Sequence, residues 1–316
     1  MNNKLYSVGV DIGGTNTDVG LVTPSGEIVD SFRLSTQDYS DIGLYVADLC
    51  DGIDKMLEEN DIKLVAGIGI GAPNAHFPTG SIDNAPNLPW NGKIFLADMV
   101  ARHSGHKTKL DNDANAAAYG EMIYGGAQKM LNFIMLTLGT GVGSGIVVDG
   151  KVVYGSTGFA GELGHAILFP DGRPCTCGRR GCLEEYASAR GIIRNFWQLA
   201  DEKRYHSPLL QMKKEEIGCR LIGKHAEQGD ELCCETIRHT GNLLGIALAN
   251  AVAFSSPEAI FLMGGPLNMP GLFEAIKSSF EQHLLTSYHD TVTLQRSLLP
   301  ANKVAILGAA SLAFAI

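Results

Sequence analysis

The chain has 316 residues, 45% hydrophobic and 19% charged, with a formal net charge of -9. That length accommodates two ordinary domains with a sizeable core. The acidic balance speaks against a nucleic-acid partner or an anionic membrane surface. The opening MNNKLYSVGVD has no basic region followed by an apolar run, and no uncharged apolar stretch reaches ~18 residues, so neither a signal peptide nor a membrane span is expected. Of the seven cysteines, Cys50, Cys219, Cys233 and Cys234 show no disulfide spacing, and a reduced cytoplasm is the expected home.

Residues 5–11, LYSVGVD, read as a strand. A glycine-rich turn from Asp11 to Thr17 leads into a second strand, and EIVDSFRL, after the Pro24-Ser25-Gly26 turn, is a third. This is strand–turn–strand, not the strand–turn–helix with a GK[ST] ending that a Walker loop needs. Gly13 and Gly14 would let the backbone approach a phosphate closely, and Thr15 adds a hydroxyl. An ordinary glycine hairpin is the plain alternative.

Residues 41–59 place Ile42, Tyr45, Val46, Leu49, Ile53, Met56 and Leu57 at helical spacing. LVAGIGIGAP (64–73) reads as a buried strand. Asn74–Gly92 reads as a long loop, a feature that is usually functional in a compact domain. A helix is expected from Lys93 to about Ser104, a strand over KTKLDND (107–113) and a helix over ANAAAYGEMIYG. Asp111-Asn112-Asp113 thus closes a strand and opens a helix, where open α/β sheets place ligands. Proton transfer from a bound ligand needs a base and an orienting neighbour. Asp113 fits the base and Asn112 the neighbour. Asp113 before Ala114 equally fits an N-cap. Asp111 reads as a structural or water-bound acid.

NFIMLTLGTGVGSGIVV (132–148) repeats the opening device, a strand running into a glycine turn and a second strand. Used twice, it predicts a duplicated chain with two similar α/β halves facing each other across a cleft. Next comes GELGHAILFPDGRPCTCGRRGCLEE (161–185), with His165, Cys175, Cys177 and Cys182. Three thiolates and one imidazole suit a closed tetrahedral Zn²⁺ site. Free surface cysteines are the alternative. Glu162 and Glu184 flank the set and could accept from the hydroxyls of a polyol, or simply be solvated. Residues 186–250 read as mostly helical, 241–254 as a buried helix ended by Pro257, EAIFLMGGP as a strand into a turn at Gly264-Gly265, and Val304–Ala315 as an apolar helix.

G-E-L-G-H followed by C-x-C-G-x-x-G-C-L-E resembles the signature of the ROK family (repressors, open reading frames and sugar kinases), and the paired glycine hairpins resemble the actin-like ATPase fold. The resemblance spans almost the whole chain. It implies a two-domain actin-like ATPase (ribonuclease H-like) fold with a duplicated α/β core and a zinc loop at 165–182. Residues 1–113, joined by the C-terminal helix at about 303–316, would form a small domain, and 114–302 a large one. It implies an ATP-dependent sugar kinase. A hexose held at its reducing end by Glu162, His165 and Glu184 would present its hydroxymethyl group to Asn112 and Asp113, so phosphorylation at the 6-hydroxyl is expected, with glucose ahead of fructose, N-acetylglucosamine or N-acetylmannosamine. Asp113 would be the base. Asn87, Asn112, Asp113, Glu162, His165 and Glu184 would hold the sugar. Gly13, Gly14, Thr15, Gly139, Thr140 and Gly141 would cradle the phosphates, Gly264 and Gly265 would lie near the adenosine, and Asp11 would hold Mg²⁺ through water. The structural Zn²⁺, ATP and a homodimer follow from the same resemblance. Two departures stand out: Pro266 follows Gly264-Gly265 where a third glycine is common, and Gly71-Ala-Pro-Asn-Ala-His replaces a Pro-Gly-rich version of the first pocket loop. The bulk of His76 and Phe77 is expected to crowd an N-acetyl group at the sugar 2-position. A sugar-sensing repressor is disfavoured by a first strand beginning at about Leu5 and by the acidic charge. A sensor without catalysis is disfavoured by the intact Asp113.

Overall fold

The computed structural model describes residues 5–202, 205–301 and 303–315. The first four residues, on which the expectation of no signal peptide partly rests, and the domain limits 302 and 316 lie outside them. The elements in chain order begin β1 (Tyr6–Ile12), β2 (Asn16–Val22), β3 (Ile28–Ser35), α1 (Ile42–Glu59), β4 (Val65–Gly71), β5 (Ala75–His76), β6 (Ser81–Asp83), β7 (Lys93–Ile94), α2 (Leu96–Ser104), β8 (Thr108–Asp111) and α3 (Asp113–Tyr124). They continue with β9 (Phe133–Leu138), β10 (Val142–Val148), β11 (Lys151–Val152), α4 (Glu184–Ala187), α5 (Ala189–Asp201), α6 (Cys219–Glu227), α7 (Glu231–Ser255), β12 (Ala259–Met263), α8 (Leu272–His283), β13 (Thr293–Arg296) and α9 (Val304–Ser311). Two compact units emerge. One is Met1–Leu131 with Gly145–Ala160 and Ser297–Ile316, the other Asn132–Ser144 with Gly161–Arg296. The sequence-based division ends the first unit at 113. In the structure that unit also takes in α3, because Gly120 of α3 lies directly against Gly308 of α9.

The first unit carries a five-stranded sheet of order β3-β2-β1-β4-β8. β1, β2 and β3 are antiparallel neighbours, while β1, β4 and β8 run parallel. Val8, Val10, Val19, Leu21, Ile68 and Ile70 are fully buried in one core with Tyr45, Leu49 and Ile53 of α1. Asp41 caps α1, accepting from the Gly43 and Leu44 N–H groups. The strand glycines have a packing purpose. Gly9 is in register with Gly20 on one side and Gly69 on the other, so the three form a row across the sheet. α9 lies on that row. A Cβ on Gly9 would overlap the Ile306 carbonyl oxygen, one on Gly69 the Ala309 carbonyl oxygen, and one on Gly20 the Ile306 side chain. At Gly9 and Gly69 backbone therefore meets backbone, a contact only glycine permits.

The second five-stranded sheet has the order β11-β10-β9-β12-β13. β9, β12 and β13 are parallel, and β10 pairs with β11 antiparallel. Its order repeats that of the first sheet, as the duplicated core requires. In the second unit α7 and α8 pack through small residues, with Gly241 against Ala275 and Gly245 against Ser279.

Residues 74–92 are more ordered than the expected loop. β5, β6 and β7 form a small antiparallel sheet, and α2 starts at Leu96 rather than Lys93. These strands are two or three residues long, too short to show a period. Among the described residues no helix is long and apolar enough to cross a membrane.

The glycine row sets a testable limit. Gly69→Ala should lower the free energy of unfolding, measured by chemical denaturation, by at least about 2 kcal/mol, because a rigid backbone carbonyl must move to admit the methyl group. A loss under about 0.5 kcal/mol would mean that α9 does not rest on this row.

Candidate functional site

In the first unit the parallel strands β1, β4 and β8 end together. Asp11 lies in β1, Gly71 ends β4, and Asp111 ends β8. A Cβ on Gly71 would touch the Asp11 and Asp113 Oδ1 atoms, each 3.8 Å away. Two carboxylates thus flank one glycine. Asp11 is raised to about 7, first by burial, then by Asp113 and Asp18. A divalent cation would offset that like-charge pressure, so Asp11 suits the Mg²⁺ role.

The competing reading of Asp113 as an N-cap is corrected. The cap is Asn112, whose side-chain oxygen accepts the Asn115 N–H at 2.8 Å. Asp113 is the first residue of α3, and solvent reaches its side chain. The dense protein around it still disfavours the charge and raises its pKa, with desolvation the cause. Asn112 uses its oxygen in the cap and keeps its amide hydrogens for another acceptor.

The first hairpin closes through Gly13 N–H donating to the Asn16 carbonyl at 2.9 Å. Thr17, next to its tip, is anchored to Thr36 and Tyr45 hydroxyls at 3.0 and 2.8 Å. Asn87 comes against this hairpin. A Cβ on Gly14 would lie 2.8 Å from the Asn87 carbonyl oxygen, so glycine is required there. Thr15 is exposed at the tip.

The second unit has its own assembly. Gly139 N–H donates to the Gly141 carbonyl at 2.9 Å, and Ala189 N–H, in the first turn of α5, donates to the Gly139 carbonyl at 2.9 Å. Gly139 and Thr140 are exposed. Gly264 has a φ of 122°, and a Cβ on it would overlap the Leu138 carbonyl oxygen, so the third glycine turn lies beside the hairpin. Pro266 costs nothing here. It falls in the first turn of a short 3₁₀ helix, Gly265–Asn268, where its fixed φ fits.

His165, Cys175, Cys177 and Cys182 offer ligand atoms that all lie within 4.8 Å of one another. Cys175 Sγ is 3.7 Å from His165 Nδ1, and Cys177 Sγ is 3.6 Å from Cys182 Sγ. The edge of a tetrahedron built on Zn–S bonds of ~2.3 Å is ~3.8 Å. Burial and the neighbouring thiols push Cys182 up to about 12, while the Arg179 backbone amide and side chain bring exposed Cys177 down to about 6. Three thiolates this close need a cation, and Cys₃His suits zinc. The other ring nitrogen of His165, Nε2, faces Glu162 at 3.9 Å. Arg179 Nη2 donates to the His165 carbonyl at 2.8 Å and steadies that turn. Glu184 is tied down from the opposite end, accepting the Val142 N–H at 3.0 Å just past the glycine hairpin. A Cβ on Gly141 would lie 2.5 Å from Glu184 Oε2, so the bare backbone there leaves room for that carboxylate.

The sequence reading gave no role to Tyr154, which donates to Asp111 Oδ2 at 2.6 Å, or to Asp18, whose charge bears on Asp11. Neither lies in a glycine turn or a ligand cluster, and only the fold brings them in.

A model of the ROK family matches residues 7–316. The glucokinase of Halalkalibacterium halodurans is 34% identical over 315 residues, 98% of this chain and 94% of the relative. The xylose repressor of Caldicellulosiruptor bescii is 31% identical over 81% of this chain and 64% of its own. A ROK family glucokinase from Streptomyces griseus, solved with glucose and AMPPNP, superposes with a TM-score of 0.77 at 31% identity, covering 97% of this chain and 98% of that one. This likeness shows the α/β actin-like ATPase fold with several sheets.

The metal cluster makes its own prediction. Elemental analysis should find about one zinc per chain, and Cys177→Ser should lose most of it with a lower melting temperature. A metal-free protein of unchanged stability would refute the zinc site.

Proposed function

The chain belongs to the ROK family, and from that premise we propose that it transfers the γ-phosphoryl group of ATP to the 6-hydroxyl of a hexose, glucose first. The observation that carries this reading is the Asn112 cap, which leaves the neighbouring Asp113 carboxylate uncapped, accessible and with its pKa raised by desolvation. A base needs those three properties to take the proton of a sugar hydroxyl near pH 7. The glucokinase relatives and the glucose-bound ROK structure support the same choice.

The chain's own residues divide the work. Asp113 accepts the hydroxyl proton as the oxygen attacks phosphorus, and the Asn112 amide orients the same oxygen. Asn87, Glu162, His165 and Glu184 bind the remaining hydroxyls. Glu184 has one carboxylate oxygen committed to Val142, leaving the other for the sugar. The backbone at Gly13, Gly14 and Thr15 and at Gly139, Thr140 and Gly141 receives the phosphates. Gly264 and Gly265 lie along the nucleoside. Asp11 holds Mg²⁺, which when bound neutralises phosphate charge. The zinc ligands fix the His165 ring so that Nε2 stays on the side of Glu162. His76 and Phe77 contact residues 154–159, and the preference for glucose is supported by the glucokinase relatives.

An ADP-release assay across a hexose panel tests the reading. Glucose should give the highest kcat/KM, above fructose, N-acetylglucosamine and N-acetylmannosamine. Asp113→Asn should cut kcat by about 10²–10⁴-fold with far less change in sugar affinity. Turnover within a few-fold of the parent would remove Asp113 from the base role. An N-acetylhexosamine used tenfold better than glucose would replace the sugar and keep the kinase.

A further inference from the structure

Asp111 has no part in the mechanism above, yet it is almost fully buried two residues before Asp113. Its carboxylate is satisfied from three directions. Asn112 N–H and Asn115 Nδ2 donate to Oδ1 at 2.8 and 3.0 Å, and the Tyr154 hydroxyl donates to Oδ2 at 2.6 Å. The first two donors belong to the catalytic turn itself. Asn115 also gives its N–H to the Asn112 cap. Asp111 therefore holds the residue before Asp113 through its backbone amide, and the cap partner through its side chain.

Tyr154 comes from the segment after β11, far away in sequence. Burial and the adjacent Asp111 carboxylate push its hydroxyl well above the ordinary tyrosine range, so it keeps its proton and acts as donor. The ring is gripped from the side. It stacks on Phe77 at 4.4 Å between centroids and 6° between planes, and Lys109 Nζ lies 5.2 Å from the Phe77 centroid. His76 fastens the same segment further along. Its Nε2 is 2.9 Å from the Thr157 carbonyl, so that nitrogen carries a proton and donates. Its Nδ1 is 2.7 Å from the Thr79 hydroxyl, and its ring is 5.2 Å from that of Phe159. Gly158 has a φ of 82°, and a Cβ there would overlap the His76 ring, so the close fit needs glycine twice over. His76, the last residue of the departing first pocket loop, and Phe77 beside it thus hold Tyr154 where it reaches Asp111.

We propose that Tyr154 is a positioning residue for phosphoryl transfer: its hydroxyl fixes Asp111, Asp111 fixes the Asn112 turn, and the turn aims the Asp113 carboxylate. The proposal rests on the kinase reading for its consequence in turnover. A buried carboxylate that loses one donor must rotate toward another or take up a proton, and either change loosens the turn. Misplacing a catalytic group by ~1 Å can cost on the order of 10²-fold in rate. Binding of the nucleotide by the glycine hairpins does not pass through this network.

Tyr154→Phe tests it, since the phenyl ring keeps the stack on Phe77 and loses only the donor. The variant should lose about five- to fiftyfold in kcat, with the KM for ATP within about twofold of the parent. Tyr119→Phe is the control. The Tyr119 hydroxyl lies 3.5 Å from that of Tyr154 and makes no bond to Asp111, so its loss should leave kcat within about twofold. Amide exchange over residues 111–118, read by mass spectrometry, should accelerate in Tyr154→Phe and not in Tyr119→Phe. The idea is overturned if Tyr154→Phe keeps kcat within twofold, if Tyr119→Phe loses as much, or if the loss comes with an equal loss of ATP affinity and a collapse in melting temperature. Should the parent transfer phosphate to no hexose at all, the kinase reading falls. The exchange data then decide alone, with faster exchange keeping the Tyr154–Asp111 hold on the turn and unchanged exchange overturning it.

Discussion

Asp11 and Asp113 both come up against Gly71, and burial together with the Asp113 charge makes Asp11 harder to ionise. Like charges in a partly desolvated place are costly, and the first unit is arranged so that they persist there. Three parallel strands end side by side to bring them together. Gly71 leaves the space between them open. The Asn112 cap relieves Asp113 of a structural task, and Asp111 behind it is fully hydrogen-bonded. Further from the site, the glycine row and α9 hold the strands from below. The stored electrostatic pressure is what a cation and a proton in transit would relieve.

The second unit solves a different problem with similar economy of parts. A loop rich in glycine and proline has little core of its own, so a metal can replace the missing hydrophobic contacts. One ring nitrogen of His165 turns toward the thiols and the other toward Glu162. At the far end of the same loop Glu184 holds the strand that follows the glycine hairpin. Loss of a metal held there would therefore disturb residues proposed to hold sugar as well as those next to the second glycine turn.

Much of this was legible in the sequence. The strand–glycine turn–strand device occurs twice and predicts the repeated sheet order, and the Cys₃His spacing predicts the cluster. Both are local patterns, set by chemistry within a few residues. The choice of cap at Asn112 over Asp113 was not legible, because both residue types cap well and only the backbone at Asn112 decides. Nor were the row formed by Gly9, Gly20 and Gly69, the Tyr154–Asp111 bond, or the hold of Glu184 on Val142. Each joins residues distant in sequence, and pairing of that kind leaves no period to read. Asn74 is an intermediate case. Its φ of 52° is tolerable for asparagine, whose side chain then donates to the Asp83 and Asn84 carbonyls, so it can stand where the family's loop is glycine-rich.

The pH dependence of kcat/KM for the preferred hexose tests the central claim, an accessible but desolvated Asp113 carboxylate acting as base. Desolvation raises its pKa, so the base is protonated, and activity is lost, as pH falls through a value above the ordinary carboxylate range. An acid limb clearly above pH ~4, absent from the residual activity of Asp113→Asn, is the predicted result. A profile flat down to pH ~4, or an unchanged limb in that variant, would contradict it.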